Sequence, residues 1–171
     1  MLDLSKIQSG NTRYDDKRLN LTQLIRDLMT RYTSLRKSQG YTIDFDPSGD
    51  VHIVADELRI SQVVYNLVNN AVNYAGDDKT VIIRQTVTDG KVRISVTDHG
   101  DGIPEDKLTD IWERYYKVDS VHVRAQKGTG LGLSIVKSIL THYNTYFGVT
   151  SSQDGPDKGS TFWFEFDVDK E

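Results

Sequence analysis

One predicted helix with two chemically opposed faces constrains this chain more than any other stretch. Between residues 57 and 74, Ile60, Val63, Val64, Leu67, Val68, Ala71 and Val72 recur at the spacing of a single apolar helical face. Asn66, Asn70 and Asn73 fall at i, i+4 and i+7 on the opposite face. Such a helix must lie on a core with its carboxamides turned outward. Each interior Asn is up to about 0.7 kcal/mol worse than Ala in a helix, so the stripe loses about 1–2 kcal/mol of intrinsic stability. A merely solvated face would be better served by Glu, Lys or Gln. A neutral, oxygen-rich surface facing a metal or a nucleotide is the functional alternative, and the stripe alone leaves both open.

The rest of the chain supplies a core for this helix to sit on. Its 171 residues, 37% of them hydrophobic, suit one α/β-sized domain. Against 25 Asp and Glu stand 21 Lys and Arg, a formal charge of -4, which argues against a general nucleic-acid binder. Cysteine is absent, which removes disulfides and thiol chemistry. No apolar run approaches the ~20 residues of a membrane span, and the first residues lack a signal-peptide pattern, so no direct membrane contact is expected.

Residues 1–10 carry apolar Leu2, Leu4 and Ile7 before Ser9-Gly10, which reads either as a fraying tail or as the last turns of a helix. Apolar spacing predicts a helix over residues 19–37. Residues 41–45 and 51–54 read as strands around the turn Pro47-Ser48-Gly49-Asp50. Asp56 is placed to cap the Asn-striped helix. Strands over 80–88 and 91–97 flank Asp89-Gly90, a two-residue hairpin signal. Residues 104–116 are predicted helical from Pro104, followed by a polar loop to Lys127 and an amphipathic helix over 134–143. A closing hairpin uses 146–152 and 160–168. Strands and helices are mixed without strict alternation, which predicts an α+β two-layer sandwich with a largely antiparallel sheet. The glycine-bracketed stretch between 100 and 128 reads as a mobile lid.

Two glycine-rich segments carry chemistry. Asp98-His99-Gly100-Asp101-Gly102-Ile103 ends a strand with a carboxylate beside glycines that permit tight turning. An ionised carboxylate only accepts hydrogen bonds, which suits the exocyclic amine of adenine and repels the carbonyl of guanine. An Asx turn closing the strand is the plainer alternative. Lys127-Gly128-Thr129-Gly130-Leu131-Gly132-Leu133 leads into a helix, so its backbone N–H groups and the helix dipole face an anion. The chain has no G-x-x-x-x-G-K-[ST], and the glycine spacing is G-x-G-x-G rather than that of a dinucleotide fold.

In this order, with a lid between the glycine segments, the chain resembles the ATP-binding catalytic domain of sensor histidine kinases. That domain belongs to a superfamily (the Bergerat fold) shared with type II topoisomerases, MutL repair proteins and a heat-shock chaperone. The matching motifs are an N box (Asp56, Arg59, Gln62, Asn66, Asn70-Ala71, Tyr74), a first glycine box at 98–103 and an F box at 111–119. A second glycine box at 128–133 and the closing Gly159-Ser160-Thr161-Phe162-Trp163-Phe164 complete the set. The resemblance implies that Asp98 holds the adenine amine with Thr161 and Gly102 nearby, and that Asn70 presents its carboxamide oxygen to Mg²⁺. It implies a nucleotide site of Asn66, Asn70, Asn73, Tyr74, Asp98, Gly100, Gly102, Ile103, Lys117, Lys127, Gly128, Thr129, Gly130, Leu131, Gly132, Leu133 and Thr161. Arg114 and Arg124 are weaker lid candidates. It also implies that residues 1–18 are the end of a dimerisation hairpin with its linker, and 19–171 the catalytic domain.

Three departures accompany the resemblance. Asn73 stands where a basic residue is common, Tyr143-Asn144 follows His142 where many members have two glycines, and no histidine has the context of a phosphoacceptor. Asn66 occupies the position of the glutamate that activates water in hydrolysing relatives, and a carboxamide is no general base at neutral pH. The expected function is therefore γ-phosphoryl transfer from ATP·Mg²⁺ to a histidine on a dimerisation hairpin outside this chain, in a two-component system. The expected partners are that hairpin and a response regulator, the chain itself is expected to be monomeric, and the parent protein is expected to sit beneath a membrane receptor. An anti-sigma serine kinase and a nucleotide-gated binding module without catalysis are the rival readings.

Overall fold

A computed structural model describes residues 13–47, 49–112 and 132–170 of the chain. Its strands are β1 (Asp16–Asn20), β2 (Thr42–Phe45), β3 (His52–Asp56), β4 (Thr80–Thr88), β5 (Lys91–Asp98), β6 (Phe147–Ser152) and β7 (Gly159–Asp167). Its helices are α1 (Leu21–Arg36), α2 (Glu57–Asn73) and α3 (Gly132–His142). The main sheet has the order β2-β4-β5-β7-β6, and β1 pairs with β3 in a separate two-stranded ribbon. Only the β2–β4 pair of the main sheet is parallel. This is the expected α+β two-layer sandwich.

Alternation builds the core. On β5 the residues Val92, Ile94 and Val96 are buried and Lys91 and Arg93 are exposed. On β7 the inward row is Ser160, Phe162, Phe164 and Phe166. Against these rows lie the apolar face of α2, as the periodicity predicts, and Val136, Ile139 and Leu140 of α3. Each buried aliphatic or Phe side chain contributes about 1.5–3 kcal/mol. Burial of this shared face therefore outweighs the poor intrinsic propensity of the Asn-rich helix.

Two expectations are corrected, and the partners of β2 and β3 are added. Residues 16–20 are a strand rather than linker, and α1 begins only at Leu21 because Asn20 Oδ1 caps it, accepting from Gln23 N–H at 2.9 Å. The strands β2 and β3 do not pair with each other across the turn between them; each finds a partner elsewhere. Between Pro104 and Trp112 the chain forms no α-helix but two 3₁₀ turns, Glu105–Lys107 and Asp110–Trp112. Lys107 N–H returns to Pro104 C=O at 2.9 Å, and Trp112 is held edge-on to Phe147 and Phe162, with centroids 5.2 and 5.6 Å away. Tertiary packing of the indole wins over helical propensity here. The remainder of that predicted helix and the polar loop lie outside the described residues.

Candidate functional site

Asp56 Oδ1 accepts from Arg59 N–H at 3.0 Å and starts α2. From this cap the helix carries Asn66, Asn70 and Asn73 on the side away from its buried row. The helix's remaining asparagine, Asn69, is structural: its Oδ1 accepts from the Tyr32 hydroxyl at 2.9 Å. Asn66 behaves differently. Its Nδ2 is buried without a hydrogen-bond partner. A buried donor left unmade costs about 1–3 kcal/mol, so this amide asks for an acceptor that the described residues do not provide.

Asp98 is the next inward position after Val92, Ile94 and Val96, so strand parity delivers a carboxylate to the end of an apolar row. It is only 3% exposed. Its Oδ1 accepts from Gly100 N–H at 2.9 Å, so the Asx turn forms as well as presenting the carboxylate inward. The turn is clasped from two sides. A Cβ on Gly100 would overlap the carbonyl oxygen of Tyr74, the C-cap residue of α2, whose own N–H returns to Asn70 C=O. A Cβ on Gly159 (φ +132°) would overlap the carbonyl of Asp98. Ile103 N–H donates to Ser151 Oγ at 2.7 Å, and Gly102 (φ +77°) lies against Ser152 C=O. His99 Nδ1 is 2.6 Å from Asp78 Oδ2, which pins the turn to the loop before β4.

These contacts bring the Asp98 turn to the end of α2 that carries Asn70. The connection runs from Asn70 to Tyr74 by one helical turn, from Tyr74 to Gly100 by backbone contact, and from Gly100 to Asp98 by a hydrogen bond. Along the same face Asn66 approaches the start of α3: a Cβ on Gly132 would lie 3.5 Å from Asn66 Oδ1. Residues 66 to 74 span about 12 Å of helix axis at 1.5 Å per residue. A purine at the Tyr74 end and phosphates at the Asn66 end fit that strip.

Thr161 is not part of this surface. It pairs with Thr97, and their hydroxyls are 2.8 Å apart on the sheet face opposite Asp98. The residue across from Asp98 is Ser160, 6% exposed, whose Oγ lies 2.9 Å from Ser151 Oγ. Parity would have found it: Phe162, Phe164 and Phe166 point inward, so 160 must as well. Ile103 and Leu133 pack partly buried against the core, so they shape the site's floor. Asn73 ends α2, and Tyr74 contributes its backbone. Lys117, Lys127, Gly128, Thr129, Gly130 and Leu131 lie outside the described residues, as do Arg114 and Arg124.

The donor chemistry fits a nucleotide with its metal. Asn66 and Gly132 offer N–H groups to an anion at a helix start, and Asn70 offers a neutral oxygen. Among the described residues no cluster of three or more His, Asp or Glu side chains could hold a cation unaided. A magnesium ion here would therefore take most of its ligands from phosphate oxygens and water.

Residues 55–170 match the family model described as histidine kinase-, DNA gyrase B-, and HSP90-like ATPase. The sensor-like histidine kinase SenX3 of Mycolicibacterium smegmatis is 30% identical over 162 residues, covering 95% of this chain and 41% of SenX3. The catalytic domain of histidine kinase ThkA superposes with a TM-score of 0.75 at 28% identity, covering 90% of this chain and 95% of that domain. ThkA in complex with the response regulator TrrA gives a TM-score of 0.75 at 25% identity, covering 97% of this chain and 46% of that one. Full-length ShkA in complex with AMPPNP gives 0.78 at 26%, covering 96% of this chain and 33% of ShkA. The chain thus spans less than half the length of the curated relative SenX3.

Proposed function

This chain belongs to the histidine kinase-, DNA gyrase B-, and HSP90-like ATPase family, and we propose that it is the ATP·Mg²⁺-binding catalytic part of a sensor histidine kinase. The observation that supports the reading is Gly100 seated beneath the Tyr74 carbonyl, which sets the Asp98 turn against the end of the helix that bears Asn70. In this reading Asp98 accepts from the adenine amine, Asn66 and the start of α3 donate to phosphate oxygens, and Asn70 ligates the metal. Magnesium, when bound, offsets the negative charge of the phosphates. Lys117, Lys127 and residues 128–131 complete the phosphate side as lid. Support comes from ShkA, whose structure holds AMPPNP, and from ThkA, seen with a response regulator.

The chemistry is in-line phosphoryl transfer, which depends mainly on positioning and charge stabilisation. An imidazole nitrogen of the acceptor histidine attacks the γ-phosphorus. The bond to the β–γ bridging oxygen breaks, ADP leaves with that electron pair, and the imidazole proton passes to solvent. Asn66 cannot take a proton from water, which disfavours hydrolysis and preserves ATP for the histidine. The four histidines of this chain are followed by Ile53, Gly100, Val123 and Tyr143, none in a phosphoacceptor context. In this reading the acceptor belongs to a dimerisation hairpin outside the domain, with the residues before β1 leading from it. A response regulator would take the phosphoryl group onward. Among the described residues no helix is long and apolar enough to cross a membrane; a membrane anchor would reside elsewhere in the parent protein.

Reconstitution tests the reading. The chain alone should show negligible self-phosphorylation with radiolabelled ATP, and adding a matched hairpin domain should produce an acid-labile phosphoprotein. An acid-stable product would point to a serine kinase instead, and no transfer with saturable ATP binding would leave only a binding module.

A further inference from the structure

Tyr143 and Asn144 stand where many family members carry two glycines, and the site above makes no use of them. In the fold, Tyr143 closes a clamp on the segment that leads into β1. Its hydroxyl donates to Asp16 Oδ1 at 2.7 Å and accepts from Asp56 N–H at 2.8 Å. Since Asp16 and Asp56 are register partners at the end of the β1–β3 ribbon, one phenol ties both strands to the end of α3. The neighbouring His142 stacks on Tyr14, with ring centroids 3.6 Å apart and an 8° tilt. Arg59 places its guanidinium 4.7 Å from the Tyr14 ring centre and donates from Nη2 to Arg13 C=O at 3.2 Å. Asp56 Oδ2 accepts from Asp15 N–H at 2.7 Å. Each residue from 13 to 16 is thus held by a side chain from the start of α2 or the end of α3.

The same two helices meet the nucleotide site at their other ends. They run antiparallel: Asp56 and Tyr143 touch at one end, and Asn66 and Gly132 approach at the other. α3 has 11 residues, about 16 Å of axis, so one short rod spans from the phosphate side to the clamp. Anything that fixes how α3 lies on α2 at one end is felt at the other, because a packed helix pair moves as a body.

We propose that docking of residues 13–16 in this clamp and binding of nucleotide are positively coupled through the α2–α3 pair, with Tyr143 as the positioning residue. The proposal rests on the nucleotide-binding reading of the site. Coupling between sites is reciprocal: nucleotide strengthens the clamp by the factor by which the clamp strengthens nucleotide binding. Two-glycine relatives lack the phenol and would lack this contribution.

The test uses the 171-residue chain with Mg²⁺ and AMPPNP. Tyr143→Phe removes both hydroxyl contacts with little change in packing, and Asp16→Asn removes the charged acceptor at an exposed position. Each should lower AMPPNP affinity about threefold by calorimetry. In the wild type, saturating AMPPNP should slow amide exchange at Asp15 and Asp56 by a similar factor. Thr22→Val, which breaks hydrogen bonds to Val51 N–H and Gln85 on α1 away from both ends, should leave affinity unchanged. Unaltered affinity in both clamp variants overturns the proposal, as does unaltered exchange on adding nucleotide or an equal affinity loss in Thr22→Val. A wild-type chain that binds no AMPPNP overturns the proposed function itself.

Discussion

Gly100 has no room for even one added carbon, because the Tyr74 carbonyl oxygen occupies the space where a Cβ would project. Gly100→Ala must push the Asp98 turn away from α2. The expected loss is about 2–3 kcal/mol of stability, or roughly 4–12 °C in Tm for a domain of this size, read by scanning calorimetry. Three other residues divide cleanly by sheet face, Asp98 and Ser160 on one side and Thr161 on the other. If Asp98 accepts from the adenine amine as proposed, Asp98→Asn replaces one acceptor with a donor there, so ATP affinity should fall about 10–100-fold, the equivalent of about 1.5–3 kcal/mol. Discrimination against GTP should collapse with it. Ser160→Ala should weaken ATP binding measurably, whereas Thr161→Val should not, since Thr161 bonds Thr97 on the far side of the sheet. Equal effects of those two substitutions in a titration would contradict the assignment.

At the scale of elements, the cap of α2 is shared property. Asp56 holds Arg59 N–H with one oxygen and Asp15 N–H with the other. Asp56→Ala should therefore lower unfolding free energy by about 1–2 kcal/mol. The urea midpoint should shift with an unchanged slope. Elements that advertise themselves locally were legible in the sequence: the α2 faces, the Asp89-Gly90 hairpin, and the glycine-led helix. What escaped was determined by partners far along the chain. The strand β1, Asp-Lys-Arg-Leu-Asn, has no apolar alternation of its own; it exists through pairing with β3 and the contacts of Tyr143. The parallel alliance of β2 with β4 joins segments separated by α2, which no periodicity encodes. The family resemblance points to Thr161, whereas alternation counted back from Phe162 puts Ser160 on the face of Asp98.

For the whole molecule, the phenols at the clamp set an alkaline limit. Burial, followed by the hydrogen bond to Asp16, raises the Tyr143 phenol well above its ordinary value, and burial likewise raises Tyr14. The folded state thus prefers the protonated ring more strongly than the unfolded chain does. Its contribution is fully present below the unfolded pKa of about 10 and is lost as pH rises from there towards the folded value. Thermal stability should accordingly fall on going from pH 9 to 11, and Tyr143→Phe should flatten that limb. A variant with an identical alkaline slope would remove Tyr143 from this role.

The final strand β7 lies inside the main sheet, between β5 and β6. A ribosome that has translated α2, β5 and α3 has already made every carboxamide and most glycines of the site, yet the sheet still has a gap where residues 159–167 belong. Until that last segment slots in, Asp98 has no neighbour on its open side and the apolar rows of β5 and β6 cannot be joined. Competence to hold a nucleotide would then switch on abruptly once residues 159–167 have been made, and trimming even this one strand would unmake the site along with the sheet.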